Sequence, residues 1–261
     1  MIIRNFQIGK AGAELSGWLH PDYSSERESA FSSRPAVIIC PGGGYAFHSV
    51  IEEDEAMGAL YAAGFDVFSL HYSTGELIAE SEPEAELAQA VSLLRHMAPE
   101  LGLNGKVAVM GFSAGGHLSA SLGCHWTDFG DNCRPDCLVL CYPVISMGKL
   151  GHEGSTLALC HGDEERVRRF SLENADVSCC PPAFIWHSQE DELVDVRNSM
   201  LFHCRLVEAG RPCEFHMFQT GVHGMAAGDE AGGLPDRSRL WLPLARVWLS
   251  SVLSFGNNTL I

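Results

Sequence analysis

Val107-Ala108-Val109-Met110-Gly111-Phe112-Ser113-Ala114-Gly115-Gly116-His117 is the stretch on which the reading of this chain turns. An apolar, largely β-branched run ends in glycine. A serine follows in G-x-S-x-G spacing, and small residues continue beyond it. That is the sequence form of a strand, a sharp turn and a helix, with the serine on the turn. Such a turn strains the serine backbone and leaves no room for bulk two residues to either side, a condition that Gly111 and Gly115 meet. The strand and helix then aim the Ser113 hydroxyl out of the top of a sheet, beside a helix N-terminus that favours developing negative charge. A glycine-rich helix start with a capping serine has the same spelling, so the surrounding elements must separate the two.

Those elements alternate throughout. Residues 2–8 and 13–20 read as two opening strands turned at Gly9 to Gly12, and polar Pro21 to Arg34 reads as a loop. Ala36-Val37-Ile38-Ile39-Cys40 is a continuous apolar run, as expected of a strand buried on both faces. It leads into Pro41-Gly42-Gly43-Gly44-Tyr45, where glycines permit a sharp bend and leave N–H groups free. Ser49 to Glu52 and Ser81 to Glu84 have capping-box spacing and each predicts a helix start. Strands are expected at Phe65–Leu70, Lys106–Gly111, Cys137–Tyr142, Ala183–His187 and Pro212–Phe218. Asp195 is expected to cap a helix ending at Gly210. Leu240 to Leu253 reads as an amphipathic helix with Trp241, Leu244, Val247, Trp248 and Val252 inward. The expected architecture is a single α/β domain over 1–261, with a mostly parallel sheet of about eight strands between helices. Pro143 to Cys180 breaks the rhythm, so residues 144–181 are expected to form a cap over the sheet edge where ligands bind.

Composition narrows the function. The chain has 261 residues and a formal net charge of −16, with no Lys/Arg cluster of the kind that nucleic acid or an anionic membrane requires. No stretch approaches a membrane-spanning length, and the first residues lack the pattern of a signal peptide, so a cytoplasmic protein is expected. A homo-oligomer stays compatible with the sequence. The ten cysteines contain no C-x-x-C pair and read as reduced core residues.

A nucleophilic serine needs a base, and the base needs a carboxylate to orient it. In open α/β sheets both sit in loops beyond the carboxyl ends of strands. Of twelve histidines, His223 in Gly221-Val222-His223-Gly224 fits best, directly after the last strand. His187, His203 and His216 lie within elements or at their ends, and His117 runs along the helix after the serine. Among the carboxylates, Asp191 in Ser188-Gln189-Glu190-Asp191-Glu192-Leu193-Val194 is preferred, with Glu190 second and Asp163 and Asp176 poorer. The order Ser113, Asp191, His223 is that of one fold class among several that use this triad. The amides of Ala114, Gly43 and Gly44 stand as oxyanion donors. Tyr45 and His117 serve equally well as pocket wall or as core.

With these residues in place the chain resembles the α/β-hydrolase superfamily, and within its esterase/lipase branch the acetyl-xylan-esterase-like, xylanase B-like enzymes. The resemblance rests on residues 41–45, 111–118 and 142–146, on Trp186-His187 through Val194, and on 221–224. It implies the α/β-hydrolase fold, Ser113 as nucleophile, Asp191 as acid, His223 as base, and Gly43, Gly44 and Ala114 as oxyanion donors. It also implies hydrolysis of short-chain carboxylic esters, including acetyl groups on sugars, without metal or cofactor. Pro41 stands where lipases of this superfamily carry histidine, and Glu190 and Asp195 depart from the pattern of the acid loop. Three alternatives remain at this level: an exopeptidase-like serine hydrolase, a non-catalytic binding protein on the same scaffold, and metal binding around Cys160-His161 and Cys179-Cys180.

Overall fold

The structure is a computed structural model, and it describes residues 1–22, 33–226 and 237–255. Most of the expected Pro21–Arg34 loop lies outside the described residues. The strands are β1 (Ile2–Ile8), β2 (Ala13–Leu19), β3 (Arg34–Cys40), β4 (Asp66–His71), β5 (Leu103–Phe112), β6 (Cys137–Cys141), β7 (Ala183–Ser188) and β8 (Cys213–Phe218). The helices are α1 (Val50–Ala62), α2 (Pro83–His96), α3 (Ala98–Leu101), α4 (Ala114–His125), α5 (Glu153–Cys160), α6 (Glu164–Phe170), α7 (Arg197–Glu208) and α8 (Trp241–Val252). The strands form one sheet in the order β1-β2-β4-β3-β5-β6-β7-β8. β1, β2 and β4 pair antiparallel, and every pairing from β4 through β8 is parallel.

Strand periodicity assigns side chains to two cores. In β3, Ala36, Ile38 and Cys40 enter one core and Val37 and Ile39 the other. β5 does the same with Val107 and Val109 against Ala108, Met110 and Phe112. The first core is covered by α2, α4 and α7, and the second by α1 and α8. Burial on both faces explains why these strands are uninterrupted apolar runs rather than alternating ones. In the second core Trp186 and Trp241 stack with ring centroids 5.1 Å apart, and the Trp241 indole N–H donates to the Ala226 carbonyl at 2.9 Å.

Two local expectations need correction. The inward face of α8 is Trp241, Leu242, Ala245 and Leu249, while Leu244 and Val247 are exposed. Apolar residues surround this helix on several sides, so their spacing does not single out a buried stripe. The second capping box does not form: α2 is capped by Glu82 with Pro83 as first residue, and no side chain caps it. Glu84 is instead buried and accepts from Arg169 at 2.9 Å and from the Ser121 hydroxyl, and its Oε1 lies 2.8 Å from His125 Nδ1. Among the described residues no helix is long and apolar enough to cross a membrane.

Candidate active site

β5 ends at Phe112, and the next residue, Ser113, takes φ 53° and ψ −114° before α4 begins at Ala114. A non-glycine residue at positive φ is costly, and it persists here because both flanks are over-determined. A Cβ at Gly111 would run into the Gly115 carbonyl oxygen, and one at Gly115 into the Cys40 carbonyl oxygen. The two glycines of the motif therefore let α4 press against the ends of β3 and β5. The Ser113 N–H donates to the Cys141 carbonyl at 2.9 Å, which fixes the turn against β6.

Ser113 Oγ lies 2.8 Å from His223 Nε2, and His223 Nδ1 lies 2.6 Å from Asp191 Oδ2. Residues from the ends of β5, β7 and β8 thus meet at one edge of the sheet. The His223 loop is tied down where the Ser188 hydroxyl donates to the Gly221 carbonyl at 2.5 Å. Asp191 is held from its other side as well. The N–H groups of Leu193 and Val194 donate to its Oδ1 at 2.9 Å each. Burial works to raise the affinity of this carboxyl for a proton. Hydrogen bonds from His187, His223 and Val194 and the charge of His223 outweigh it and hold the group well below the usual carboxylate range. Glu190 is exposed, Asp163 caps α6, and Asp176 is a surface residue bonded to the Ser178 N–H, so none of the three approaches His223.

His187 lies against the same carboxylate. It is fully buried, with Nε2 3.1 Å from Asp191 Oδ2 and 3.0 Å from the Val194 carbonyl, and Nδ1 2.8 Å from Ser199 Oγ. The strand-end pattern at 186–187 is the signal that carries it. Its partner in α7 has no mark in the sequence.

Gly43 and Gly44 take φ 124° and 64°, and a Cβ at Gly43 would strike the Phe47 carbonyl. Both line a cavity of about 430 Å³ together with Ser113 and His223. Among the described residues nothing accepts from the amides of Gly43, Gly44 or Ala114. The Gly42 N–H, by contrast, is taken by Glu52 Oε2 at 2.7 Å.

Glu52 shows where the first capping box fails. Ser49 precedes α1 but its side chain does not cap the helix. Glu52 is buried and turns inward, accepting from the Gly42 N–H and from the Tyr142 hydroxyl at 2.8 Å. Tyr142 Oη in turn accepts from the Ala226 N–H at 3.3 Å, and its ring packs on His223 with centroids 4.8 Å apart. Burial raises the pKa of Glu52, and the two hydrogen bonds work against that rise. This carboxylate links the glycine loop, the end of β6 and the histidine loop.

Tyr45 and His117 do not line the cavity, so of the two roles the sequence left open, pocket wall and core, the pocket role is corrected to core. Both are buried, with Tyr45 Oη 2.8 Å from His117 Nδ1 and His117 Nε2 2.8 Å from the Phe170 carbonyl. A carbonyl only accepts, so Nε2 carries the proton and Nδ1 accepts from the tyrosine. Burial pushes the pKa of His117 down to about 4, and the ring is neutral. The cavity wall instead draws on Ala46, Phe47, Ser49, His152, Gly154 and Leu193. Of these, His152 and Gly154 belong to the connection between β6 and β7. Ser49 is marked in the sequence only as a helix cap, and the others carry no sequence signal of their own. Among the described residues no group of three His, Cys, Asp or Glu side chains converges as metal ligands.

The chain matches the model of an alpha/beta hydrolase fold family over residues 37–227. It is 34% identical over 211 residues to endo-1,4-beta-xylanase B of Butyrivibrio fibrisolvens, covering 76% of this chain and 33% of that protein. It is 31% identical over 204 residues to the acetylxylan esterase of Xylanibacter ruminicola, covering 74% of this chain and 41% of that protein. The chain therefore spans between about a third and two fifths of these relatives. Among solved structures, an acetyl ester-xyloside bifunctional hydrolase from Caldicellulosiruptor lactoaceticus superposes with TM-score 0.82 at 32% identity, covering 94% of this chain and 90% of the other. A carboxylesterase from Lactobacillus plantarum WCFS1 shares the fold with TM-score 0.86 at 22% identity, covering 99% and 100%.

Proposed function

The chain belongs to the alpha/beta hydrolase fold family, and from that premise we propose that it is a serine carboxylic-ester hydrolase for short-chain esters, with acetyl groups on carbohydrates as its substrate class. The observation that carries the reading is the continuous contact from Ser113 Oγ through His223 to Asp191, at 2.8 and 2.6 Å, on a strained turn that opens into a cavity.

In the first step His223 Nε2 takes the Ser113 proton as Oγ attacks the ester carbonyl. Asp191, ionised throughout, keeps the His223 Nδ1–H directed at itself and stabilises the imidazolium. The carbonyl oxygen becomes an oxyanion in reach of the Gly43, Gly44 and Ala114 amides, each such donor being worth about 3 kcal/mol in the transition state. The tetrahedral intermediate collapses, His223 gives its proton to the departing alcohol, and an acyl-serine remains. Water then attacks the acyl carbon while His223 accepts its proton. Ser113 leaves with that proton and the carboxylic acid is released.

Residues 1–261 act as one domain in this reading, and 144–181 form its cap. His152 and Gly154 in the cavity wall and the Phe170 carbonyl on His117 support that role. The protein is placed in the cytoplasm, in keeping with ten cysteines that stand free of disulfides. The test is hydrolysis of p-nitrophenyl acetate, butyrate and octanoate by the wild type and Ser113→Ala. Turnover of the acetate falls on the order of a million-fold in the variant, and equal rates for the two proteins would overturn the reading.

A further inference from the structure

An ester presents three parts to this cavity. The carbonyl oxygen is met by backbone amides. An aliphatic acyl chain has no acceptor to offer. Only the alcohol part brings further oxygens. Among the described residues the polar side chains lining the cavity are Ser49, Glu52, Ser113, His152 and His223. Ser113 and His223 form the reacting pair, Glu52 is committed to Gly42 and Tyr142, and Ser49 lies against Glu52. His152 is the one left over.

Its chemistry is fixed by its own backbone. His152 caps α5, and its Nδ1 accepts from the Ser155 N–H at 3.2 Å, with the Ser155 hydroxyl 2.9 Å away. A backbone N–H only donates, so Nδ1 carries no proton and the neutral ring carries it on Nε2. Protonating Nδ1 would set two donors against each other. Burial and the neighbouring charge of His223 lower the pKa of His152 further, which keeps the ring neutral. Among the described residues Nε2 meets no partner. The side chain is half-buried beside Gly44, where a Cβ would lie 3.5 Å from His152 Cε1. His223, which returns the proton to the leaving alcohol in the proposed reaction, lines the same cavity as His152 and is near enough to act on it electrostatically.

We propose that His152 is a substrate-binding residue whose Nε2–H donates a hydrogen bond to a hydroxyl or ring oxygen on the alcohol part of the ester, and so selects esters of polyhydroxylated alcohols such as sugars. The role rests on the ester-hydrolase reading above. A site built to bond a hydroxyl discriminates strongly against the analogue that lacks it.

The test compares cyclohexyl acetate with trans-2-hydroxycyclohexyl acetate, two alcohols of one shape that differ in a single hydroxyl. The wild type prefers the hydroxylated ester by at least tenfold in kcat/KM. That preference falls to about threefold or less in His152→Asn and His152→Ser, both of which keep an acceptor for the Ser155 N–H. The Tm of each variant is recorded, and two variants guard against loss of the cap. No preference in the wild type, or a preference undiminished in a folded variant, overturns the proposal. A wild type inactive on both esters and on p-nitrophenyl acetate would instead overturn the hydrolase reading and take this role with it.

Discussion

Glu52→Ala is the substitution whose outcome follows most directly from the packing. The side chain is 2% exposed and accepts from the Gly42 N–H and the Tyr142 hydroxyl. Removing it leaves two buried donors unpaired, at ~1–3 kcal/mol each. Relief of the buried carboxylate, whose pKa burial has raised, offsets part of that. A net loss of about 3 kcal/mol is expected, which for a chain of this size lowers Tm by about 6–10 °C. Glu52→Gln should recover about half of it, because its carbonyl can accept from Gly42 while its amide cannot accept from the Tyr142 hydroxyl. Activity falls too. The Gly42 peptide sets the direction of the Gly43 and Gly44 amides, and a displaced oxyanion donor costs on the order of a hundredfold in kcat with KM little changed. Differential scanning fluorimetry and p-nitrophenyl acetate kinetics on both variants read the two effects. An alanine variant within 1 °C of wild type on the Tm scale, at full kcat, would refute the reasoning.

Three further outcomes are expected. Asp191→Asn removes the acceptor that orients His223 Nδ1 and lowers kcat on the order of 10⁴-fold in a stopped-flow ester assay, at nearly unchanged KM. Gly115→Ala drives a Cβ into the Cys40 carbonyl and should cost more than about 4 kcal/mol, seen as loss of soluble protein or of the urea-unfolding baseline. His117 has its pKa pushed down to about 4 from an ordinary 6.5. The unfolded chain therefore takes up this proton first on acidification. The contribution is full above about pH 6.5 and is lost as pH falls towards 4, by about 3 kcal/mol in all. In urea titrations from pH 7 to pH 4, His117→Gln should flatten the fall in stability by that amount relative to wild type.

The fold and the contact of Ser113, His223 and Asp191 were legible because their signals are local or bound to strand ends. β3, β5, β6 and β7 are apolar runs that only burial on both faces rationalises, and each of the three contacting residues follows a strand. The glycines at 111 and 115 mark a close approach of backbone that no other residue permits. What the sequence concealed depends on tertiary contact. Glu52 sits at a capping-box position, yet its carboxylate turns to Gly42 and to Tyr142, ninety residues away in sequence. Tyr45 and His117 adjoin the glycine loop and the Ser113 turn in sequence, yet they satisfy each other and the Phe170 carbonyl inside the core. His152 lies in a connection without periodic pattern, and nothing in its neighbours predicts that it reaches the cavity. The α8 pattern failed for a different reason, since a helix with apolar residues on several sides has no stripe to read.

The central claim is that Ser113 is the nucleophile of an acyl-transfer site, and its most direct test is covalent trapping. Diethyl p-nitrophenyl phosphate is attacked at phosphorus by an activated serine, which displaces p-nitrophenolate and retains the diethylphosphoryl group. The account predicts release of one p-nitrophenolate per chain, a single adduct by intact mass, and its location on Ser113 in the digested peptide. It also predicts no adduct in Ser113→Ala and slow labelling in His223→Ala. An adduct on any other residue, or equal labelling of Ser113→Ala, would contradict it.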